Sequence, residues 1–172
     1  MNYFTPDLLV RLQVRDPAAM NDADAEWEAA EQRYEQRLQE LGPAIDPLLR
    51  RFEDVLLHDA TVWSISRHDD HFVIILRKDI PPRDVVILTY MLVAEPILVR
   101  DALPPQFRSQ VMQFQYDEFD VEQEAGQSHF THRILFSNGW EIRLAFRDLQ
   151  VTLAQPIYPL TAPSFAGEAQ SV

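Results

Sequence analysis

The spacing of apolar residues changes period once along this chain, at Leu57-His58-Asp59-Ala60. Before this junction apolar residues recur every three or four positions, which is the period of an amphipathic helix. After it they alternate, which is the period of a strand with one buried face. Helices followed by strands are typical of α+β proteins, in which helices cover one face of a mostly antiparallel sheet. We therefore expect an α+β fold with a helical layer at 5–57 and a sheet at 59–154.

Three start signals divide the first part of the chain into three N-terminal helices. Thr5-Pro6, Asp16-Pro17 and Asp46-Pro47 each place a capping side chain before a proline at the first helical position. The second helix is long and ends at Gly42-Pro43. The third carries its apolar stripe as far as Leu56.

The rest of the chain predicts about six strands, which is the range of an ordinary sheet. In the stretch 110–121 the apolar positions change parity after Asp117, so we expect a bulge or bend near Asp117–Glu118. A second bend or turn is expected at Arg147-Asp148 for the same reason.

The stretch around Asn138-Gly139 predicts a β-hairpin in a defined register. A three-residue loop, 137–139, pairs Phe136 with Trp140 and Ile134 with Ile142, and so brings the large apolar residues onto one face. A two-residue turn would split them between both faces. We therefore expect the longer loop, with the glycine in the left-handed conformation.

Residues 1–155 are expected to form a single domain, followed by a flexible C-terminal tail at 156–172 that contains few strong secondary-structure signals. No run of about 18 apolar residues is present, so no membrane helix is predicted. The start of the chain lacks the pattern of a secretory signal, and the chain has no cysteine. These features indicate a cytoplasmic protein without disulfides or thiolate metal sites.

The charge and the glycine content argue against two classes of function. The net charge is -12, which disfavours contact with the phosphates of a nucleic acid. The chain has 4 glycines, none of them close to another, so a glycine-rich nucleotide loop is not expected. We predict no nucleic-acid partner and no cofactor.

His58-Asp59 is the first candidate for catalysis. A carboxylate beside an imidazole orients it and increases its basicity, as a general base requires. The structural alternative is that Asp59 binds free backbone N–H groups at the junction while His58 caps the carbonyl end of the preceding helix. Because no nucleophile stands at an interpretable spacing, we expect the structural role.

The histidines give a weaker case for a metal. His68 and His71 flank a turn that contains Asp69 and Asp70, but a site needs three or four converging ligands. His129 and His132 fall on opposite faces of a strand and cannot chelate together. No metal site is predicted.

Two charged sets remain. In the expected register Arg133 faces Arg143, with Arg147 on the same side, which suggests either an anion-binding or acidic-partner surface or a ladder of charges paired between strands. The acidic run, 117–124, lacks the glycine spacing of a calcium loop, so we expect it to be solvated.

Several stretches are distinctive enough to suggest a resemblance: MNYFTPDLL (1–9), the long acidic helix with Trp27, LHDATV (57–62), PPRDVVILTY (81–90), YDEFD (116–120) and FSNGWEIRLAF (136–146). Through them the chain resembles an uncharacterised family of bacterial proteins over most of residues 1–153. The resemblance implies a single bacterial cytoplasmic domain. It implies no activity, substrate, cofactor or catalytic residue.

The sequence as a whole favours a non-enzymatic binding protein, a protein-interaction or immunity-type module with a protein partner. The alternative is a small hydrolase that uses His58 and Asp59 in a cleft between helices and sheet. It requires a partly exposed His58 at the base of that cleft.

Overall fold

The computed structural model describes residues 1–14, 16–53, 55–80, 84–124 and 126–155. The predicted tail at 156–172 lies outside these ranges. Within them, helices precede strands, and the α+β class is confirmed. The elements are α1 Pro6–Leu12, α2 Pro17–Leu41, α3 Asp46–Leu49, β1 Thr61–His68, β2 His71–Arg77, β3 Val85–Leu92, β4 Ile97–Val99, β5 Phe114–Glu124, β6 Gln127–Phe136 and β7 Glu141–Ala154.

The first two helices begin where the capping signals predict. Thr5 Oγ1 accepts the N–H of Leu8 at 3.2 Å, and Asp16 Oδ1 accepts the N–H of Ala18 at 3.0 Å. Helix α2 is followed by Gly42, which has a positive φ of 43°. Both helices therefore start, and α2 also ends, through local chemistry that the sequence shows directly.

The third helix is shorter than predicted. Helix α3 ends at Leu49 and passes into a 3-10 turn at Arg50–Phe52, whereas the apolar stripe suggested a helix to about Leu57. Part of the stripe still packs against the sheet, because Leu48 is buried and Phe52 packs on Phe119 of β5 with 5.1 Å between ring centroids, whereas Leu56 at its end is exposed. Tertiary packing here outweighs the local helical preference.

The strands form a seven-stranded sheet in the order β1-β2-β3-β7-β6-β5, with every described pair antiparallel and β4 paired separately with β7. The sequence predicted about six strands. The additional strand is the short β4, which lies in a stretch bounded by prolines that carried no strand signal.

The hairpin of β6 and β7 has the predicted register. Ile134 pairs with Ile142, and the N–H of Phe136 donates to the carbonyl of Trp140 at 2.8 Å. Gly139 ends the loop with φ +84°, which is the left-handed conformation. Its N–H donates to the carbonyl of Phe136 at 3.0 Å. The preference for large apolar residues on one face therefore identified the loop length correctly.

Both predicted parity changes are bulges. In β5 the register shifts between Phe114 and Tyr116, slightly before the expected position at Asp117–Glu118. In β7 the pairing with β3 shifts between Phe146 and Asp148, and the strand continues without a turn. A bulge reverses which side chains face inward and leaves the strand unbroken.

The two ends of the strand order meet at the junction that precedes β1. The N–H of Phe114 donates to the carbonyl of Ala60, and the N–H of Val62 donates to the carbonyl of Met112, both at 2.9 Å. Asp59 donates its N–H to the carbonyl of Phe114 at 2.8 Å. The junction thus joins the helical part to the sheet and also holds the start of β1 against the start of β5.

Helices lie on both faces of the sheet, which corrects the expectation of a single covered face. Ile45 and Leu48 pack in one core with Ile134, whereas Leu9 of α1 packs with Leu135 in another. Because adjacent residues of a strand point to opposite faces, α1 and α3 are on opposite sides of β6. Helix α2 lies along β5 between them, where Tyr34 accepts the N–H of Phe119 at 2.7 Å.

Candidate functional site

A groove of about 440 Å³ lies between α2, residues 49–58 and β5. This volume is within the range of ordinary ligand sites, about 300–1,000 Å³. Leu56 is at the groove with 68% of its surface exposed. Much of the wall is aromatic and is contributed by four parts of the chain: Phe4 before α1, Trp27 and Tyr34 in α2, Phe52 after α3, and Tyr116 and Phe119 in β5.

The aromatic rings are packed on one another. The centroid of Trp27 is 4.9 Å from that of Phe4 and 4.7 Å from that of Tyr116. Phe4 also meets Tyr34 edge-on at 5.6 Å. Such mutual contacts restrict the rings, so this wall is held in place before any ligand arrives.

A buried carboxylate holds Phe4 in this wall. Glu118 is 1% exposed, and its two oxygens accept the backbone N–H groups of Asn2, Tyr3 and Phe4 at 2.7, 2.7 and 2.8 Å. Three charge-assisted hydrogen bonds satisfy the buried charge and fix the segment that precedes α1.

Two carboxylates line the groove. Glu31 Oε1 accepts the indole N–H of Trp27 at 2.8 Å, and Asp117 Oδ2 is 2.9 Å from His132 Nε2. Burial raises the pKa of Tyr116, and the charges of Asp59 and Glu31 raise it further. The carboxylates of Glu31, Asp117 and Asp59 therefore make this end of the groove electronegative.

Tyr34, the second tyrosine in the wall, also lies near carboxylates. Burial is the main cause that raises the pKa of Tyr34. The hydrogen bond from the N–H of Phe119 opposes this shift, and the carboxylates of Asp117, Glu118 and Asp120 add to it.

A chain of buried hydrogen bonds connects the groove to the interior of the sheet. His132 is 0% exposed, with the Tyr90 hydroxyl 2.7 Å from Nδ1 and Asp117 2.9 Å from Nε2. An imidazole protonated at Nε2 donates to Asp117 and accepts from Tyr90, which satisfies all three groups. The ring also stacks on Phe119 with a centroid distance of 3.8 Å. Burial raises the pKa of Tyr90 well above its ordinary value.

The sequence contains one signal for this series of buried hydrogen bonds, although no role was predicted for His132. The predicted hairpin register places His132 on the apolar face, opposite Leu144. A histidine on such a face needs hydrogen-bond partners from other strands. Tyr90 and Asp117 are 42 and 15 residues away in sequence, so their identity depended on the strand order.

His58 and Asp59 are close together at the edge of the groove, and each side chain is 52% exposed. His58 Nδ1 is 2.6 Å from the carbonyl oxygen of Gln115, and its Nε2 is 3.6 Å from Asp59 Oδ2. Asp59 Oδ1 accepts the side-chain amide of Gln115 at 3.1 Å. Asp59 has a left-handed backbone with φ 63°.

This geometry differs in detail from the expected structural role. His58 contacts the bulge of β5 and not the carbonyl end of a helix, and the Asp59 side chain contacts a side chain and not backbone N–H groups. Both residues hold the junction against Gln115. Among the described residues that line the groove there is no serine, threonine or lysine to act with His58 as a nucleophile.

The predicted arginine face is occupied by ion pairs. Arg133 and Arg143 face each other across the hairpin, and both contact the carboxylate of Glu122, Arg133 at 2.8 Å. Arg147 pairs with Asp70 at 2.8 Å. This arrangement supports the interpretation of a ladder of paired charges; the binding role stays a prediction.

The expectation that the acidic run is solvated is wrong for four of its members. Asp117 contacts His132, Glu118 is buried under the N-terminal segment, and Glu122 joins two arginines. Asp120 pairs with Arg37 of α2 at 2.8 Å. The acids cluster in β5 because the groups that they contact lie on both faces of this strand and on α2.

The turn between β1 and β2 holds its ionisable groups in local pairs. His71 Nδ1 is 2.9 Å from Asp70, and His68, whose side chain is 93% exposed, is 3.7 Å from Asp69. Within the described ranges, no group of three or more histidine, aspartate or glutamate side chains is arranged to hold a metal ion.

The chain matches no protein-family model and no curated protein. The resemblance to an uncharacterised bacterial family therefore stays a prediction. None of the described helices is long and apolar enough to cross a membrane.

Proposed function

We propose that the protein is a non-enzymatic protein-interaction module whose partner enters the groove between α2 and β5. The observation that carries this proposal is the groove itself: a cleft of about 440 Å³ with restrained aromatic walls and an exposed leucine at its edge. Aromatic side chains that are held in place lose little conformational entropy on binding, which is why they are frequent at protein interfaces.

The chemistry of the lining favours binding over catalysis. His58 and Asp59 bind the β5 bulge through Gln115, which gives them a role in the fold. Asp117 is engaged by His132. The imidazole of His58 and the two acids of the groove therefore have structural partners, and the described lining residues include no serine, threonine or lysine.

The test uses two leucines that are both exposed and differ in location. Leu56 is at the groove with 68% exposure, and Leu153 lies in β7 with 51% exposure. A partner captured from a lysate of the protein's own cells by the wild type should be lost with Leu56→Asp, because a charge replaces apolar contact in the groove. It should be retained with Leu153→Asp. Equal capture by both variants, or recovery of a free protein in each case, contradicts the proposal.

A hydrolase that uses His58 and Asp59 is the second candidate, favoured by the half-exposed position of His58 at a cleft. In this case the purified protein should hydrolyse members of an ester and amide panel, and His58→Gln should abolish turnover while leaving the fold intact. Turnover that survives in His58→Gln, or no turnover by the wild type, counts against this candidate.

A further inference from the structure

Most ion-paired acids of this protein contact an arginine, whereas the two carboxylates that line the groove contact ring nitrogens. Asp120 pairs with Arg37, Asp148 with Arg51, and Glu95 with Arg67. Glu31 contacts the indole of Trp27, and Asp117 contacts the imidazole of His132. Neither acid has an arginine or lysine partner among the described residues.

The residues that line the groove include more acidic than basic side chains. No arginine or lysine is among the described residues that form the groove, although it contains two acids. Each of these acids uses one oxygen for its contact with a ring nitrogen, and the second oxygen, Glu31 Oε2 or Asp117 Oδ1, has no hydrogen-bond partner in the described part of the chain. The groove therefore contains negative charge and hydrogen-bond acceptors that a cationic group would complement.

The aromatic walls narrow the choice of cation. A guanidinium group is planar, is weakly hydrated, stacks on aromatic rings and donates paired hydrogen bonds to carboxylates. An ammonium group is more strongly hydrated and loses more on entering an aromatic cleft. A bare anion or a phosphate would be repelled by both acids.

We propose that the groove receives an arginine side chain of the partner protein, with its guanidinium group at Glu31 and Asp117 and apolar neighbours of that arginine on the leucine-lined side. This inference rests on the proposed function and specifies its ligand. The leucines that line the groove are Leu38, Leu49, Leu56 and Leu57. A groove of about 440 Å³ is larger than one side chain, so room remains for these neighbours.

The probe is a tripeptide with a central arginine between two leucines, acetylated and amidated at its ends. Its control is the same peptide with citrulline, which keeps the shape and removes the charge. Binding is followed at the indole N–H signal of Trp27, which is one of 3 tryptophans and is assigned with Trp27→Phe. The arginine peptide should shift this signal at millimolar concentration, and the citrulline peptide should bind about tenfold more weakly.

A matched pair of variants locates the cation. Glu31→Gln keeps an oxygen for the indole of Trp27 and removes the charge, and should weaken binding of the arginine peptide by about threefold or more. Glu28→Gln makes the same change at an exposed position of α2 outside the groove lining, and should leave binding unchanged.

Equal affinity for the arginine and citrulline peptides overturns the cation inference and leaves the groove as a docking site. A Trp27 signal that moves with neither peptide overturns it as well. In both cases the proposed function is judged separately, by whether Leu56→Asp loses the partner. If Leu56→Asp keeps the partner, the proposed function itself fails.

Discussion

The hydroxyl of Tyr90 and Nδ1 of His132 are 2.7 Å apart inside the sheet, where both residues are 0% exposed. His132→Leu leaves this hydroxyl without its partner, and an unsatisfied buried polar group costs about 1–3 kcal/mol. We therefore expect His132→Leu to lower the free energy of unfolding by about 2 kcal/mol or more, measured by urea denaturation.

The double variant Tyr90→Phe with His132→Leu separates this hydrogen bond from packing. Because it removes both polar partners, its loss of stability should be smaller than the sum of the two single losses, by about 1 kcal/mol. Additive losses would show that the two groups do not interact energetically.

The carboxylate of Glu118 is expected to determine the order of the segment before α1. Glu118→Gln replaces one acceptor oxygen by an N–H₂ group, which cannot accept from the backbone of Asn2 or Tyr3. Hydrogen exchange of the backbone amides at residues 2–4 should become faster, and the free energy of unfolding should fall by about 1.5–3 kcal/mol. The exposed substitution Glu28→Gln serves as the control. Unchanged exchange at residues 2–4 would remove Glu118 as the anchor of Phe4.

Gly139 and Gly126 offer a matched test of a close contact. Both have a positive φ, +84° and +80°, so alanine at either site is strained by about 1–2 kcal/mol. A Cβ at Gly139 would also lie 3.1 Å from Arg108 Nε, whereas a Cβ at Gly126 would have no atom of the described residues within 4 Å. Gly139→Ala should therefore destabilise the protein more than Gly126→Ala in thermal unfolding. Equal effects would mean that Arg108 moves aside without cost.

Arg51 and Asp148 connect the turn after α3 to β7, with 2.8 Å between Nη1 and Oδ1. The hydrogen bond from Arg51 lowers the pKa of Asp148. A lowered pKa stabilises the fold above the ordinary carboxyl pKa of about 4, and this part is lost as the pH falls through the lowered value. The pair is about half exposed, so its contribution is at most about 0.5 kcal/mol.

Arg51→Met should raise the pKa of Asp148 towards its ordinary value in an NMR titration of the side-chain carboxyl, and should remove this part of the acid dependence of stability. Arg50→Met makes the same chemical change one residue earlier and should leave the pKa of Asp148 in place. An identical titration curve in Arg51→Met would assign the lowered pKa to another cause.

Local patterns predicted the features that depend on local chemistry. The N-caps at Thr5 and Asp16, and the end of α2 before Gly42, follow from residue preferences within one turn of helix. The hairpin register followed from one further condition, that Phe130 and Phe146 share a face with Ile134 and Ile142.

The candidate site could not be predicted in the same way, because it is formed by residues that meet only when the sheet is assembled. His132 contacts Phe52, Tyr90 and Asp117, which come from three other elements. The position of the junction was predicted, and the structure shows that it is hydrogen-bonded to the start of β5. The acids of β5 were misinterpreted as solvated since their partners, such as Arg37, are distant in sequence.

The most direct test of the groove as the docking site is a methyl NMR titration of the full-length protein with the partner recovered from its cells. We predict that the methyl signals of Leu38, Leu49 and Leu56, which line the groove, shift or broaden as the complex forms, while those of Leu153 in β7 do not. A complex that forms with the Leu153 signals perturbed and the groove signals unchanged would place the interface elsewhere and contradict the account.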